Sequence, residues 1–191
     1  CVDGRGRTYQ TRSKLEDGRY LGDGFTKFNL RSQLVEVFQS YEGQSDACDI
    51  EPPSGVRLTR YVYDGVNRRI EKILPDGAIE RVTYEPLRTL RFDAEDTDAS
   101  SPHFDTPAVN TVDGLGRLVS QERRLGNTSA VTRLEYDALG HTAGYIDAEG
   151  NRKSQSFDAM GRLLTVDDPN AGSMTMTYDD ASNLVARTDG R

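Results

Sequence analysis

Phe157-Asp158-Ala159-Met160-Gly161-Arg162-Leu163-Leu164 decides how this chain is read. Near-copies flank it: Tyr136-Asp137-Ala138-Leu139-Gly140-His141 upstream and Tyr178-Asp179-Asp180-Ala181-Ser182-Asn183-Leu184 downstream. Their aspartates recur every 21 residues. A fixed period near twenty residues marks a repeat architecture. Each copy carries the chemistry of a tight turn. An Asp carboxylate accepts backbone N–H groups two residues on, and a Gly three residues later takes positive φ without steric cost. Together they predict a type I turn followed by a left-handed residue, a common hairpin loop. The aromatic closes one strand and the residues after Gly open the next.

Working outward gives five more copies. Val2-Asp3-Gly4-Arg5-Gly6-Arg7 and Val112-Asp113-Gly114-Leu115-Gly116-Arg117 keep both turn residues. Tyr63-Asp64-Gly65-Val66-Asn67-Arg68 replaces the second Gly by Asn, which also tolerates the left-handed region. Phe28-Asn29-Leu30-Arg31-Ser32-Gln33 lacks the Gly, and Tyr84-Glu85-Pro86-Leu87-Arg88 is the most degraded copy. The steps between successive motif positions are 26, 35, 21, 28, 24, 21 and 21, so regularity is greatest toward the C-terminus. A second turn falls midway, as in Pro75-Asp76-Gly77, Asp147-Ala148-Glu149-Gly150 and Asp168-Pro169-Asn170-Ala171-Gly172. Each unit is therefore two strands and two turns. Between turns the pattern alternates: Met174, Met176 and Tyr178 share one face, as do Thr132, Leu134 and Tyr136. The expected fold is all-β, made of consecutive antiparallel hairpins.

The 191 residues suffice for one domain or two small ones. An apolar share of 35 % and a mean hydropathy of −0.67 suit a sheet with wet faces better than a thick globule. The net charge of −7 repels phosphate, which argues against nucleic acid as a partner. No apolar run approaches the roughly 20 residues of a membrane helix. The chain opens on a repeat in progress and closes on Thr188-Asp189-Gly190-Arg191, which resembles the midway turn. The expectation is a piece cut from a longer polypeptide. Four stretches follow: degenerate repeats with an insertion over 1–55, a full unit over 56–92, an acidic loop over 93–110 and regular repeats over 111–191. The insertion, residues 42–56, reads as a surface loop. No amphipathic helix is expected anywhere. Two readings stand for Cys1 and Cys48: a disulfide in an oxidising compartment, or two free thiols.

The units at 136–141, 157–163 and 178–184 resemble YD repeats, also called RHS repeats. Residues 2–11, 28–38, 101–103 and 105–107 are similar to the RHS segment of the B component of bacterial Tc toxins and SpvB-like proteins. The resemblance implies a curved sheet, a strip of a spiral β-shell or cocoon, in a secreted or cell-surface bacterial protein. It implies partners of two kinds: other RHS segments of the same protein or of a partner shell subunit, and an enclosed C-terminal toxin. In bacterial members a conserved region at the C-terminal end of the shell drives autoproteolysis; nothing in this sequence matches it. A second function class is a cell-surface YD-repeat module that binds glycans or a protein.

The residues singled out are structural. Asp3, Gly6, Asp64, Asp113, Gly116, Asp137, Gly140, Asp158, Gly161 and Asp179 recur because the turn needs them. Tyr63, Tyr84, Tyr136, Phe157 and Tyr178 read as packing between hairpins, against the alternative of a ligand-binding ladder. No cofactor or catalytic group is expected. Asp93, Glu95, Asp96 and Asp98 offer oxygens to Ca²⁺ but lack the Gly and distal Glu of an EF-hand; a solvated loop is the plainer reading. His103, near Ser100, Ser101 and Asp105, invites a hydrolase triad, yet no nucleophile elbow frames it. His141 fills the Arg slot of its turn and is expected to be exposed.

Overall fold

The computed structural model describes residues 1–126 and 128–190. Asn127 and Arg191, both inside the expected 111–191 stretch, lie outside the described residues. The fold is all-β with antiparallel pairing throughout, and it divides into two compact units. The first comprises residues 1–83 and 92–104; the second comprises residues 84–91 and those from 105 onward.

In the first unit, β1 (Thr11–Lys14), β2 (Tyr20–Asp23) and β5 (Tyr41–Gly43) form a small sheet in the order β1-β2-β5. A second ladder follows the chain: β3 (Thr26–Phe28), β4 (Leu34–Phe38), β6 (Leu58–Tyr63), β7 (Arg69–Ile73) and β8 (Ile79–Glu85). The core of this unit is Phe25, Phe38 and Tyr41, flanked by Tyr9, Val56 and Leu58. Phe25 sits edge-on to Tyr9 at 5.6 Å and to Phe38 at 5.5 Å, the geometry that aromatic quadrupoles favour.

The second unit is a meander: β9 (Arg88–Phe92, whose last residue falls in the first unit), β10 (Ala108–Val112), β11 (Leu118–Leu125), β12 (Thr128–Tyr136), β13 (Thr142–Ile146), β14 (Arg152–Phe157), β15 (Leu163–Asp168), β16 (Gly172–Tyr178) and β17 (Leu184–Asp189), each paired with the next. Most strand residues here are half-buried. On β16, Met174, Met176 and Tyr178 are half-buried while Ser173, Thr175 and Thr177 are exposed, the alternation of a strand with one wet face. β17 is exposed along its whole length.

Antiparallel pairing sends successive connections to opposite strand ends. The Asp-led turns therefore share one end of each ladder, and the midway turns share the other. Just before the loop in six hairpins the register slips, as between Val62 and Tyr63, Glu135 and Tyr136, Ser156 and Phe157, and Thr177 and Tyr178. These bulges sharpen the local twist.

Two expectations need correction. The acidic stretch is not all loop: Ala94–Thr97 forms one helical turn, α1, capped by Asp93. The Asp93 side chain accepts from the Glu95 and Asp96 amides, and the Asp96 carboxylate accepts from the Asp93 amide at 2.9 Å. This reciprocal cap satisfies donors that a helix start leaves open. The last residues of the 93–110 stretch also begin β10. The copy at Glu85 has no Asp-type loop, because Pro86 and Leu87 make a two-residue connection with Leu87 at φ +60°. The insertion at 42–56 is a mostly exposed loop, as expected, apart from Glu42 and Gly43, which belong to β5.

Candidate functional site

The repeated turn has one construction. At Asp158, the Gly161 amide donates to the Asp158 carbonyl and the Asp158 amide to the Arg162 carbonyl, both at 3.0 Å. The carboxylate fills the loop: Oδ1 accepts from the Met160 and Arg162 amides at 2.9 Å each, and Oδ2 accepts from Arg162 Nε at 2.6 Å. Gly161 holds φ +79°. Asp3 with Gly6 and Asp113 with Gly116 repeat the arrangement, with Arg7 and Arg117 in the Arg162 place. Asp64 repeats it with Asn67 at φ +70°. At Asp137, beside Gly140, His141 Nδ1 lies 2.8 Å from Oδ2. At Asp179, Asn183 Nδ2 donates at 3.0 Å and Ser182 takes the left-handed place. Midway, Asp147 builds the same loop with Asn151.

These donors hold the carboxylates ionised. The Arg7 guanidinium and amide bring Asp3 down to about 2. The Arg162 amide does most to lower Asp158, and the hydrogen bond from His141 does most to lower Asp137.

The residue four places after Asp also reaches the next repeat. Arg7 lies over the Phe28 ring at 4.1 Å, Arg117 over Tyr136 at 4.6 Å and Arg162 over Tyr178 at 4.9 Å. Each is a cation held against the negative face of a ring. His141 stacks on Phe157 at 4.7 Å, tilted by 30°. That corrects the expectation of an exposed His141: it is half-buried between its own Asp137 and the next aromatic. The tyrosines answer in the other direction. Tyr63, Tyr136 and Tyr178 donate their hydroxyls to the carbonyls of Leu34, Leu118 and Leu163, each at the start of a strand in the preceding repeat. Neighbouring turns touch directly as well. Arg162 Nη1 donates to the Asp179 carbonyl at 3.2 Å and to Ser182 Oγ at 3.1 Å, and Arg31 Nη1 donates to Gly65 O and Asn67 Oδ1. A Cβ on Gly161 would stand 2.9 Å from His141 Nε2. Turn, cation and aromatic thus form a seam running from repeat to repeat.

Above the seam stand the turn tips. Leu115, Leu139 and Met160 occupy the same place in successive turns and are 79 %, 66 % and 71 % exposed.

The remaining candidates are dispersed. Asp93 and Asp96 cap α1, and Asp98 accepts from the Ser100 amide and hydroxyl. Among the described residues, no three His, Cys, Asp or Glu side chains could hold a metal ion. His103 is exposed, with Nε2 4.0 Å from Glu95. The nearby serine hydroxyls serve local turns: Ser100 Oγ donates to Asp98, and Ser101 Oγ accepts from the His103 amide.

In a second cluster the cysteines alone gave a sequence signal. Cys1 and Cys48 form a disulfide with Cα atoms 5.7 Å apart, which settles the open pairing. Next to it, the Asp49 carboxylate accepts from Gln10 Nε2 at 3.0 Å, from the Tyr41 hydroxyl and from Arg12 Nη2. Gln10 Oε1 accepts from the Asp49 amide at 2.9 Å, and Gln10 is fully buried. Burial pushes Tyr41 up to about 12, so it stays a donor. Burial also works against the Asp49 charge, but the Tyr41 and Gln10 donors and Arg12 outweigh it and leave Asp49 below its ordinary value.

The RHS Repeat family matches residues 136–173, which hold the turns at Asp137, Asp147, Asp158 and Asp168. Solved structures extend the likeness to the rest of the chain. The crystal structure of TcdB2-TccC3-Cdc42 superposes with a TM-score of 0.74 at 20 % identity, over 98 % of this chain and 11 % of that one. That of TcdB2-TccC3 gives 0.64 at 21 %, over 100 % of this chain and 12 % of that one. The Photorhabdus luminescens Tc holotoxin pore gives 0.61 at 19 %, again over 100 % and 12 %. The chain thus spans about a tenth of the length of the structures it matches. Among the described residues no helix is long and apolar enough to cross a membrane. Residues 136–173 are RHS-repeat sequence, and the chain as a whole takes the antiparallel fold of the TcdB2-TccC3 structures.

Proposed function

We propose that this chain is a non-enzymatic strip of wall in an RHS-repeat shell, and that the shell encloses a toxic cargo domain in a secreted bacterial toxin-type protein. The observation that carries the reading is the seam. At Asp3, Asp113, Asp137 and Asp158 the turn is filled by its own Asp, and the residue it fixes lies against the aromatic of the next repeat. Such nearest-neighbour fastening extends a sheet repeat by repeat, which is what a wall requires. The chain covers nearly all of itself but only 11–12 % of the structures it resembles, as a strip of something much larger would. β17 is the outermost strand of its ladder among the described residues and is exposed throughout, and a further RHS segment of the same protein or of a partner shell subunit would pair with it. The disulfide fits an oxidising, extracellular compartment.

Electron microscopy of the full-length protein, combined with limited proteolysis, tests this. A closed hollow particle with protected density inside supports it; an open particle whose C-terminal segment is readily digested overturns it. One observation favours a second reading, a surface module that binds a glycan or protein partner: the apolar turn tips Leu115, Leu139 and Met160. That reading requires saturable binding that disappears when all three are replaced by Ser in a protein that still folds.

A further inference from the structure

The first unit contains a buried charge that the repeat does not need. Arg12, on β1, lies flat across β2 and β5. Its Nη1 is 3.0 Å from where a Cβ on Gly22 would stand, and 2.7 Å from one on Gly43. Two glycines on neighbouring strands leave the slot that the guanidinium fills. The Arg12 side chain is only 7 % exposed, and its Nε and Nη1 are buried without hydrogen-bond partners. Its charge is compensated by the Asp49 carboxylate.

Asp49 does not belong to the sheet. It sits in the insertion between β5 and β6, most of which is exposed. Four anchors return that insertion to the body: the Cys48 bond to Cys1, Asp49 itself, Val56 against the aromatic core, and the Lys27–Glu51 pair. The disulfide is immediately next to Asp49, and Cys48 is exposed, within reach of a reductant.

We propose that the Cys1–Cys48 disulfide is a redox-operated latch that keeps Asp49 on Arg12, and that its reduction opens the corner formed by β1, β2, β5 and the insertion while the second unit stays folded. The reaction is a two-electron exchange with a dithiol reductant. One reductant thiolate attacks Cys48 Sγ, the S–S bond breaks, and Cys1 departs as a thiolate that takes up a proton. The second reductant thiolate then attacks the mixed disulfide. Cys48 is released as a thiol and the reductant leaves as its own disulfide. Once the covalent tie is gone, the exposed insertion regains chain entropy that the remaining anchors must oppose. Departure of Asp49 leaves a buried guanidinium without its counter-charge, and removing one partner of a buried ion pair is strongly destabilising. The corner then opens by letting Arg12 reach water.

Hydrogen exchange on the full-length protein tests the latch, comparing the oxidised form with one reduced by dithiothreitol after folding. Amides in 10–14, 20–23 and 41–56 are expected to exchange on the order of a hundredfold faster on reduction, from the size of a broken buried pair. Those of β11 to β16 should keep their rates, and reoxidation should restore the first set. Unchanged exchange at the corner overturns the proposal. So does a loss of protection through both units, which would make the disulfide a general staple. Asp49→Asn in the oxidised protein separates the charge from the tie. It should loosen β1, β2 and β5 with the disulfide intact; if it does not, Arg12 is not what couples them.

Discussion

The two units stabilise the same kind of strand by different means. The first concentrates its contacts: Phe25, Phe38 and Tyr41 are buried together, a disulfide closes 47 residues of sequence separation, and a buried Arg–Asp pair sits beside it. The second distributes them. Among the described residues Pro107 and Val109 are its fully buried apolar side chains, and its strands are otherwise mostly half-buried. What recurs there is the seam: Arg117 on Tyr136, His141 on Phe157 and Arg162 on Tyr178, with Arg7 on Phe28 as a contact of the same kind in the first unit. A concentrated core fails at one point and takes its unit with it. A distributed array fails locally, because each repeat contacts only its neighbours.

The largest effect expected is in the first unit. Phe38→Ala removes a buried ring from a small core and should cost about 3–5 kcal/mol. In denaturant unfolding followed by hydrogen exchange, the loss should fall on the first unit; an equal loss in both would erase the distinction drawn here. Next comes Gly161→Val. A β-branched residue at φ +79° is strained, and its Cβ would meet His141 Nε2 at 2.9 Å, so the cost should be about 1–3 kcal/mol. The loss should be confined to the repeats around β14 to β16; a cost below about 0.5 kcal/mol, that of a neutral surface change, would mean the seam carries nothing.

Smaller still is the coupling across one joint. A double-mutant cycle of Arg162→Met and Tyr178→Leu should return about 0.5–1 kcal/mol for the stacked pair, whose cation is 4.9 Å from the ring. A coupling of zero would reduce the joint to coincident packing. The slightest effect per residue is that of acid. Folding lowers the carboxylates of Asp113, Asp137, Asp158 and Asp179 below their unfolded values. Their contribution is therefore complete above the unfolded value of about 4 and is lost as pH falls through the folded values. Thermal midpoints should be level from about pH 7 to 5 and drop below about 4. A midpoint that rises in acid would contradict the turn construction.

What could be read from sequence was what is local. Strand alternation at Met174, Met176 and Tyr178 is a period of two, and an Asp with Gly three places on is a loop whose chemistry lies within five residues. The seam escaped because its partners are distant. Arg117 meets Tyr136 and Arg162 meets Tyr178 only after the chain has run through two strands. Read alone, those arginines are ordinary surface charges. His141 looked exposed for the same reason. The corner was further out of reach: Gln10 and Arg12 meet Asp49 across 39 and 37 residues with no spacing to mark them. α1 escaped because four residues show no helical period, and its box uses Asp96 where Glu or Gln is usual.

The two ends of the ladders differ in their freedom to change. At the Asp-led end the turns led by Asp keep five residues even where Gly has become Asn67 or Ser182, and the one at Glu85 is shorter, not longer. Added length appears at the opposite end: the insertion before β6 and the stretch carrying α1 both leave from there. Within each unit, one rim of the ladder therefore keeps register and the other takes extra chain. New segments, natural or grafted, belong at sites such as Asp147–Gly150, where they lengthen a loop without breaking step.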